Sequence, residues 1–169
     1  DGLDLQINSP GEKADQQSLT IYKDTEADNP LNVEITQETF AFSESPNDDF
    51  IFFDFAIENK NSTPITNFHF GLFFDWDIDG EFYGTNQTGF DPDRNLGYAF
   101  DTGDGPETFV GAAPLTEGNV HYKAIFNDGD LDPSGWGIYD GYTDAEKWQS
   151  ISGGTSKTVA GPADISHTI

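Results

Sequence analysis

The stretch FHFGLFFDWDIDG, residues 68–80, decides the fold. Phe68, Phe70, Leu72, Phe74 and Trp76 fall on one face at a period of two, the alternation of a half-buried strand. Asp75, Asp77 and Asp79 then come at every second position, and Gly80 closes the loop. An apolar strand fixed by a core thus delivers three carboxylates to one spot. A hard cation such as Ca²⁺ takes several oxygen ligands held by a rigid frame, and this layout suits one.

Upstream, Ile51, Phe53, Phe55 and Ile57 alternate along residues 50–58. Phe50 and Phe52 on the opposite face predict a central strand buried on both sides. Residues 59–66 read as the hairpin connection into 68–76, with Pro64 in the turn, where it removes no ladder hydrogen bond. Residues 32–43 predict a long strand, and 1–8 and 19–22 predict shorter ones. Downstream, residues 95–101, 107–113 and 119–126 are three further strand candidates, and 164–169 read as a last strand. Residues 136–139 are short and apolar. Thr143-Asp-Ala-Glu146 has the capping-box spacing, so one helix starts there, buries Trp148 and Ile151, and ends at Gly153-Gly154. About ten residues of helix are not stable alone and must pack on a sheet. Many short strands separated by Gly, Asp and Asn turns argue an all-β protein. We expect an antiparallel, jelly-roll-like β-sandwich with one short helix, forming a single domain over residues 1–169.

The charge is lopsided: 31 acidic residues against 7 basic, a formal net of -24. Nucleic acid is not expected as a partner, because phosphate binding needs clusters of Lys and Arg and there is a single Arg, Arg94. An anionic membrane surface is disfavoured for the same reason. No apolar run approaches the ~18 residues of a membrane span, so no insertion is expected. With no Cys, disulfides and thiolate metal sites are absent. The chain starts without Met or a leader, which reads as a processed piece whose targeting segment has been removed. Acidity alone fits solubility, a salty habitat or a solvated face. Its distribution favours a metal, since 12 of 21 Asp lie between Asp75 and Asp144, mostly in Gly-rich loops.

Asp75, Asp77 and Asp79 open like an EF-hand loop, but position twelve is Asn86 instead of Glu and no helices flank it. A β-sandwich Ca²⁺ site is the reading, with Asp91, Asp93 and Asn95 returning oxygens from the next loop. Solvated loop carboxylates are the plain alternative. Asp128, Asp130 and Asp132 repeat the spacing in NDGDLDPSG, as a second Ca²⁺ site or as a turn built on Asx hydrogen bonds. Trp76, Trp136 and Trp148, with Tyr139 and Tyr142, offer either a sugar-stacking platform or core. Asn61-Ser-Thr63 and Asn86-Gln-Thr88 fit the N-glycosylation pattern, a short pattern common by chance. The Gly-Thr-Ser156 run resembles the nucleophile segment of subtilisin-like peptidases, but Lys157-Thr158-Val159 breaks that pattern. His69, His121 and His167 also do not supply an Asp/His pair in order, so no catalytic residues are assigned.

The runs NPLNVEITQETFAF, DDFIFFDFAIENKNSTPITNFHFGLFFDWDI, NLGYAFD, YDGYTDAEKWQSISGG and ADIS together resemble a β-sandwich domain of large exported bacterial proteins of the Bacteroidota and Chlorobi type. That domain often lies downstream of a subtilisin-like peptidase domain and upstream of a C-terminal sorting domain. The resemblance covers roughly residues 29–169 and is most specific in DWDI and TDAEKW. It implies export, an extracellular or cell-surface location, neighbouring domains of a larger protein as partners, and an accessory role. Family chains continue with a further strand pair, so this chain is expected to be a fragment lacking C-terminal strands. The function expected is a non-catalytic, calcium-stabilised structural or adhesive module, accessory to a secreted peptidase. The alternative is a carbohydrate-binding module.

Overall fold

Asp24 shows how the acidic loop after the second strand is held. Its carboxylate accepts the backbone N–H of Leu31 at 2.5 Å and of Val33 at 3.0 Å, folding the chain back on itself. The computed structural model describes residues 5–78, 83–103, 108–118, 120–132, 135–139, 142–153 and 157–169. The chain is all-β: among the described residues, ten strands form three antiparallel sheets, with one short α-helix. It divides into two compact units, Asp1–Phe68 and His69–Ile169.

The first unit is a meander of β1 (Gln6–Asn8), β2 (Gln16–Lys23), β3 (Val33–Ala41) and β4 (Ile51–Asn59), in that order across the sheet. The strands match those read from the alternation, but their places differ. β4 lies at the edge instead of the centre, and most of its side chains are exposed. Its apolar residues on both faces therefore do not mark burial on both sides. Nor does β4 form a hairpin with the strand that follows it, which belongs to another sheet.

In the second unit, β5 (Phe73–Asp75), β10 (Ile165–Thr168) and β9 (Lys123–Phe126) form one sheet, with β10 central. β6 (Asn86–Asp91), β7 (Leu96–Asp101) and β8 (Phe109–Ala112) form the other. β5 is shorter than the period-two pattern predicted, although Leu72 and Ile169 extend its pairing by two backbone bonds of 2.9 and 3.1 Å. β6 was not legible, because NQTGFD has no apolar alternation. Its place comes from tertiary bonds. Thr88 N–H donates to Ala160 at 2.8 Å, and Ala163 N–H donates to Asn86 at 3.0 Å.

The core between these sheets is built of small residues, Ala99, Ala124, Ala160 and Ala163, with Ile78, Tyr122 and Ile165. Trp76, Phe90, Val110, Phe126 and Ile169 pack against it. Small residues permit close approach, and Gly161 marks the limit. Its φ is +101°, and a Cβ there would sit 2.2 Å from the Asn86 carbonyl. Helix α1 (Asp144–Ile151) has the predicted capping box at Thr143 and Glu146. It buries Ser150 and half-buries Ile151, while Trp148 is 45% exposed and stands edge-on to His69. The expected burial of Trp148 does not hold.

Candidate metal centre

Pairing brings three strand ends to one pole of the β5–β10–β9 sheet. β10 runs antiparallel to both neighbours, so the end of β5 and the end of β9 lie beside the start of β10. Asp75 ends β5, Asp164 precedes β10 and Asn127 follows β9. Phe74 and Trp76 turn to the core side and stack at 5.0 Å, so the alternation sends Asp75 and Asp77 outward, where both are exposed.

A hydrogen-bonded network ties the pole together. Asn127, fully buried, donates its side-chain amide to Asp75 Oδ1 at 3.0 Å and also to Asp164. Tyr139 donates its hydroxyl to the other Asp164 oxygen. Ser166 Oγ lies 2.9 Å from Asp75 Oδ1 and 2.5 Å from Asn127 Oδ1. It has one proton for two acceptors, so one of those oxygens always lacks it. The Asn127 carbonyl accepts from Ile138 and Tyr139, which pins the loop that carries the tyrosine. Burial pushes the Asp164 carboxyl above its usual range, and the negative charges of Asp75 and Asp77 push it further, against the Asn127 bond, which lowers it. Among the described residues, no ion pair reaches Asp75, Asp77 or Asp164.

The other predicted ligands are placed elsewhere. Asp91 closes its own hairpin turn: Oδ1 accepts the N–H of Asp93 at 3.0 Å and of Arg94 at 3.2 Å, and Oδ2 pairs with the Arg94 guanidinium. Arg94 holds the Asp91 carboxyl below its usual range. Asp93 is exposed, and Asn95 takes the left-handed conformation, φ 51°, that ends the turn. No hydrogen bond or ion pair joins these three to Asp75 or Asp77. In the second acidic loop Asp128 caps a 3-10 turn, Gly129–Leu131, through Asp130 N–H. Asp130 is exposed, and Asp132 is buried against Lys157 at 2.6 Å. This is the Asx-turn arrangement. Asp79 lies outside the described residues, as does Ser156.

The three tryptophans have separate partners. Trp76 stacks on Phe74 in the core, Trp136 lies under the Lys123 ammonium at 4.6 Å, and Trp148 meets His69. Asn86 of the second glycosylation pattern is fully buried, with its amide on the Ile78 backbone.

The donors at the pole are all hard oxygens, the chemistry that Ca²⁺ prefers. Among the described residues no three acidic or imidazole groups form a ready metal-binding cluster. The Asn127 amide group bridges Asp75 and Asp164. Turning that amide over would present its carbonyl oxygen beside the two carboxylates. Sequence spacing does not single out Asp164, Asn127 or Ser166, and it offers Tyr139 only as a platform or core residue, because these four meet only once the strands have paired. No family model, curated protein or solved structure matches the chain.

Proposed function

We propose that the chain is a non-catalytic structural or adhesive module of an exported bacterial protein, and that Ca²⁺ taken up beside Asp75, Asp77 and Asp164 stabilises its second unit. The observation that carries this reading is the buried Asn127 amide bridging the Asp75 and Asp164 carboxylates, with no cationic side chain paired to either among the described residues; burial and the neighbouring charges of Asp75 and Asp77 push the Asp164 carboxyl up. Two carboxylates about 4 Å apart repel by roughly 1 kcal/mol in water and about 4 kcal/mol at an effective dielectric of 20. A divalent ion relieves that repulsion. Asp75, Asp77 and Asp164 would hold it, with the Asn127 carbonyl as a neutral oxygen. The ion supplies fixed positive charge and no reaction.

The non-catalytic reading is supported by His167. Sealed in the core, it faces the rings of Phe74, Trp76 and Tyr122, and among the described residues neither of its ring nitrogens has a hydrogen-bond partner. Location outside the cell and neighbouring domains as partners belong to the same proposal. Among the described residues no helix is long and apolar enough to cross a membrane. Calorimetric titration of Ca²⁺ into the chelator-stripped protein tests the site. One saturable event, lost in both Asp75→Ala and Asp164→Asn, is expected. Equal heats in all three proteins would refute it.

A further inference from the structure

The register of the first unit sorts its charges onto one face. Gln17–Phe40–Phe52 is one cross-strand row, and Ser18–Thr39–Phe53 is the next, on the opposite face. Among the described strand residues of this unit, the ion pairs lie on the face of Phe40. Lys23 pairs with Glu34 at 3.3 Å, Lys60 with Glu34 and Glu58 at 3.0 and 2.7 Å, and Lys13 with Glu38 at 3.5 Å. The face of Phe53 carries no Asp, Glu, Lys or Arg at any strand position, in a chain with 31 acidic residues. Its polar residues satisfy one another: Ser18 meets Thr39, and Tyr22 donates to Gln37 at 2.7 Å. Along β4 it presents Ile51, Phe53, Phe55 and Ile57, with Phe53 and Phe55 stacked at 6.2 Å. Ile51 is 62% and Phe53 54% exposed.

A sheet with one ionic and one uncharged apolar face is half of a sandwich: the ionic face suits water and the other suits a second sheet. We infer that the uncharged face of this sheet packs on the same face of a second copy of the chain, across a two-fold axis. Charge selects that occupant. Each copy carries a formal -24, so most approaches between copies set carboxylates against carboxylates. This face meets its own image without apposing any charge, and a two-fold contact is self-complementary by construction. Strand rise and spacing give a face on the order of 500 Å² per copy, hence about 1,000 Å² for the pair. That reaches the lower bound for a specific interface and points to a weak dimer, formed between about 1 µM and 1 mM.

The test is sedimentation equilibrium of the full chain over that range, with two charge-matched variants. Phe53→Glu and Ala56→Glu both add one negative charge to exposed positions of β4, on opposite faces. Phe53→Glu should weaken the dimer at least about tenfold and Ala56→Glu should leave it intact, since aromatic anchors dominate such contacts. Ile51→Glu should repeat the loss, and far-UV circular dichroism should match wild type in each. Raising NaCl from about 0.05 to 0.5 M should tighten the dimer, because the copies repel elsewhere. A monomer at every concentration would overturn the inference and leave the face to a different chain or a further segment. Equal weakening by both charge variants, or a dimer dissolved by salt, would overturn it as well.

Discussion

His167 is the sharpest internal test of the core. It is fully buried on β10, and among the described residues neither ring nitrogen has a hydrogen-bond partner. Rings of Phe74, Trp76 and Tyr122 stand 5.2–6.3 Å from it, and Gly97 approaches its Nε2 from β7. No carboxylate contributes to its titration. Burial alone pushes its pKa from 6.5 down to about 4. The fold therefore holds the neutral ring, and the unfolded chain takes up the proton first. Stability from this group is intact above pH 6.5 and is lost as pH falls toward about 4. At about 1.4 kcal/mol per pH decade, the loss is roughly 3 kcal/mol. For a chain of this size that corresponds to about 6–12 °C of melting temperature. His167→Leu removes the titration without leaving a buried polar atom, so at neutral pH it should change stability by no more than about 1.5 kcal/mol. Carboxylates held low, such as Asp101 beside Thr85, titrate in both proteins and cancel in the comparison. Melting of both, in chelator, from pH 7.5 to 4 should show curves that diverge below pH 6.5. Parallel curves would refute the sealed neutral histidine.

Two further outcomes are expected. Thr143 accepts the Glu146 N–H while Glu146 reaches back to Thr143 N–H at 2.8 Å, so Thr143→Ala should cost about 1 kcal/mol in urea unfolding; no change would place the helix start elsewhere. A fluorophosphonate probe should not label Ser156, because Lys157-Thr158-Val159 breaks the peptidase pattern after it and the sequence supplies no Asp/His pair in the order that chemistry needs; labelling lost in Ser156→Ala would restore a peptidase reading.

Much of the fold was legible because it rests on local pattern. The alternation at 51–57 and the Thr143–Glu146 spacing act within one element, and both appear where expected. What sequence could not reach was long-range. Phe50 and Phe52 suggested a central strand, yet register puts β4 at an edge, and alternation alone does not say which neighbours a strand has. The acidic pole was half legible. Asp75 and Asp77 stood out by spacing, but Asp164 and Asn127 join them only because β10 lies between β5 and β9. The same spacing in Asp128–Asp132 made a capped turn and a Lys157 ion pair. Every-second-position spacing thus does not by itself tell a cation site from a turn cap: one set is tied into a turn and an ion pair, and the other has no cationic partner among the described residues.

The central claim is the cation at the Asp75–Asp77–Asp164 pole, and thermal melting at constant ionic strength tests it most directly. Extracellular calcium modules bind at about 10⁻⁴ to 10⁻³ M, and a hundredfold excess over the dissociation constant adds about 2.7 kcal/mol. The chain should therefore melt roughly 5–11 °C higher in Ca²⁺ than in EDTA, with a smaller gain in Mg²⁺. Asp75→Ala, Asp77→Ala and Asp164→Asn should each remove most of that gain, while Glu117→Ala, on an exposed loop, should keep it. Screening by any salt stabilises so acidic a chain. If Na⁺ at equal ionic strength raises the melting temperature as far as Ca²⁺ does, the pole is a solvated acidic surface and the account is contradicted.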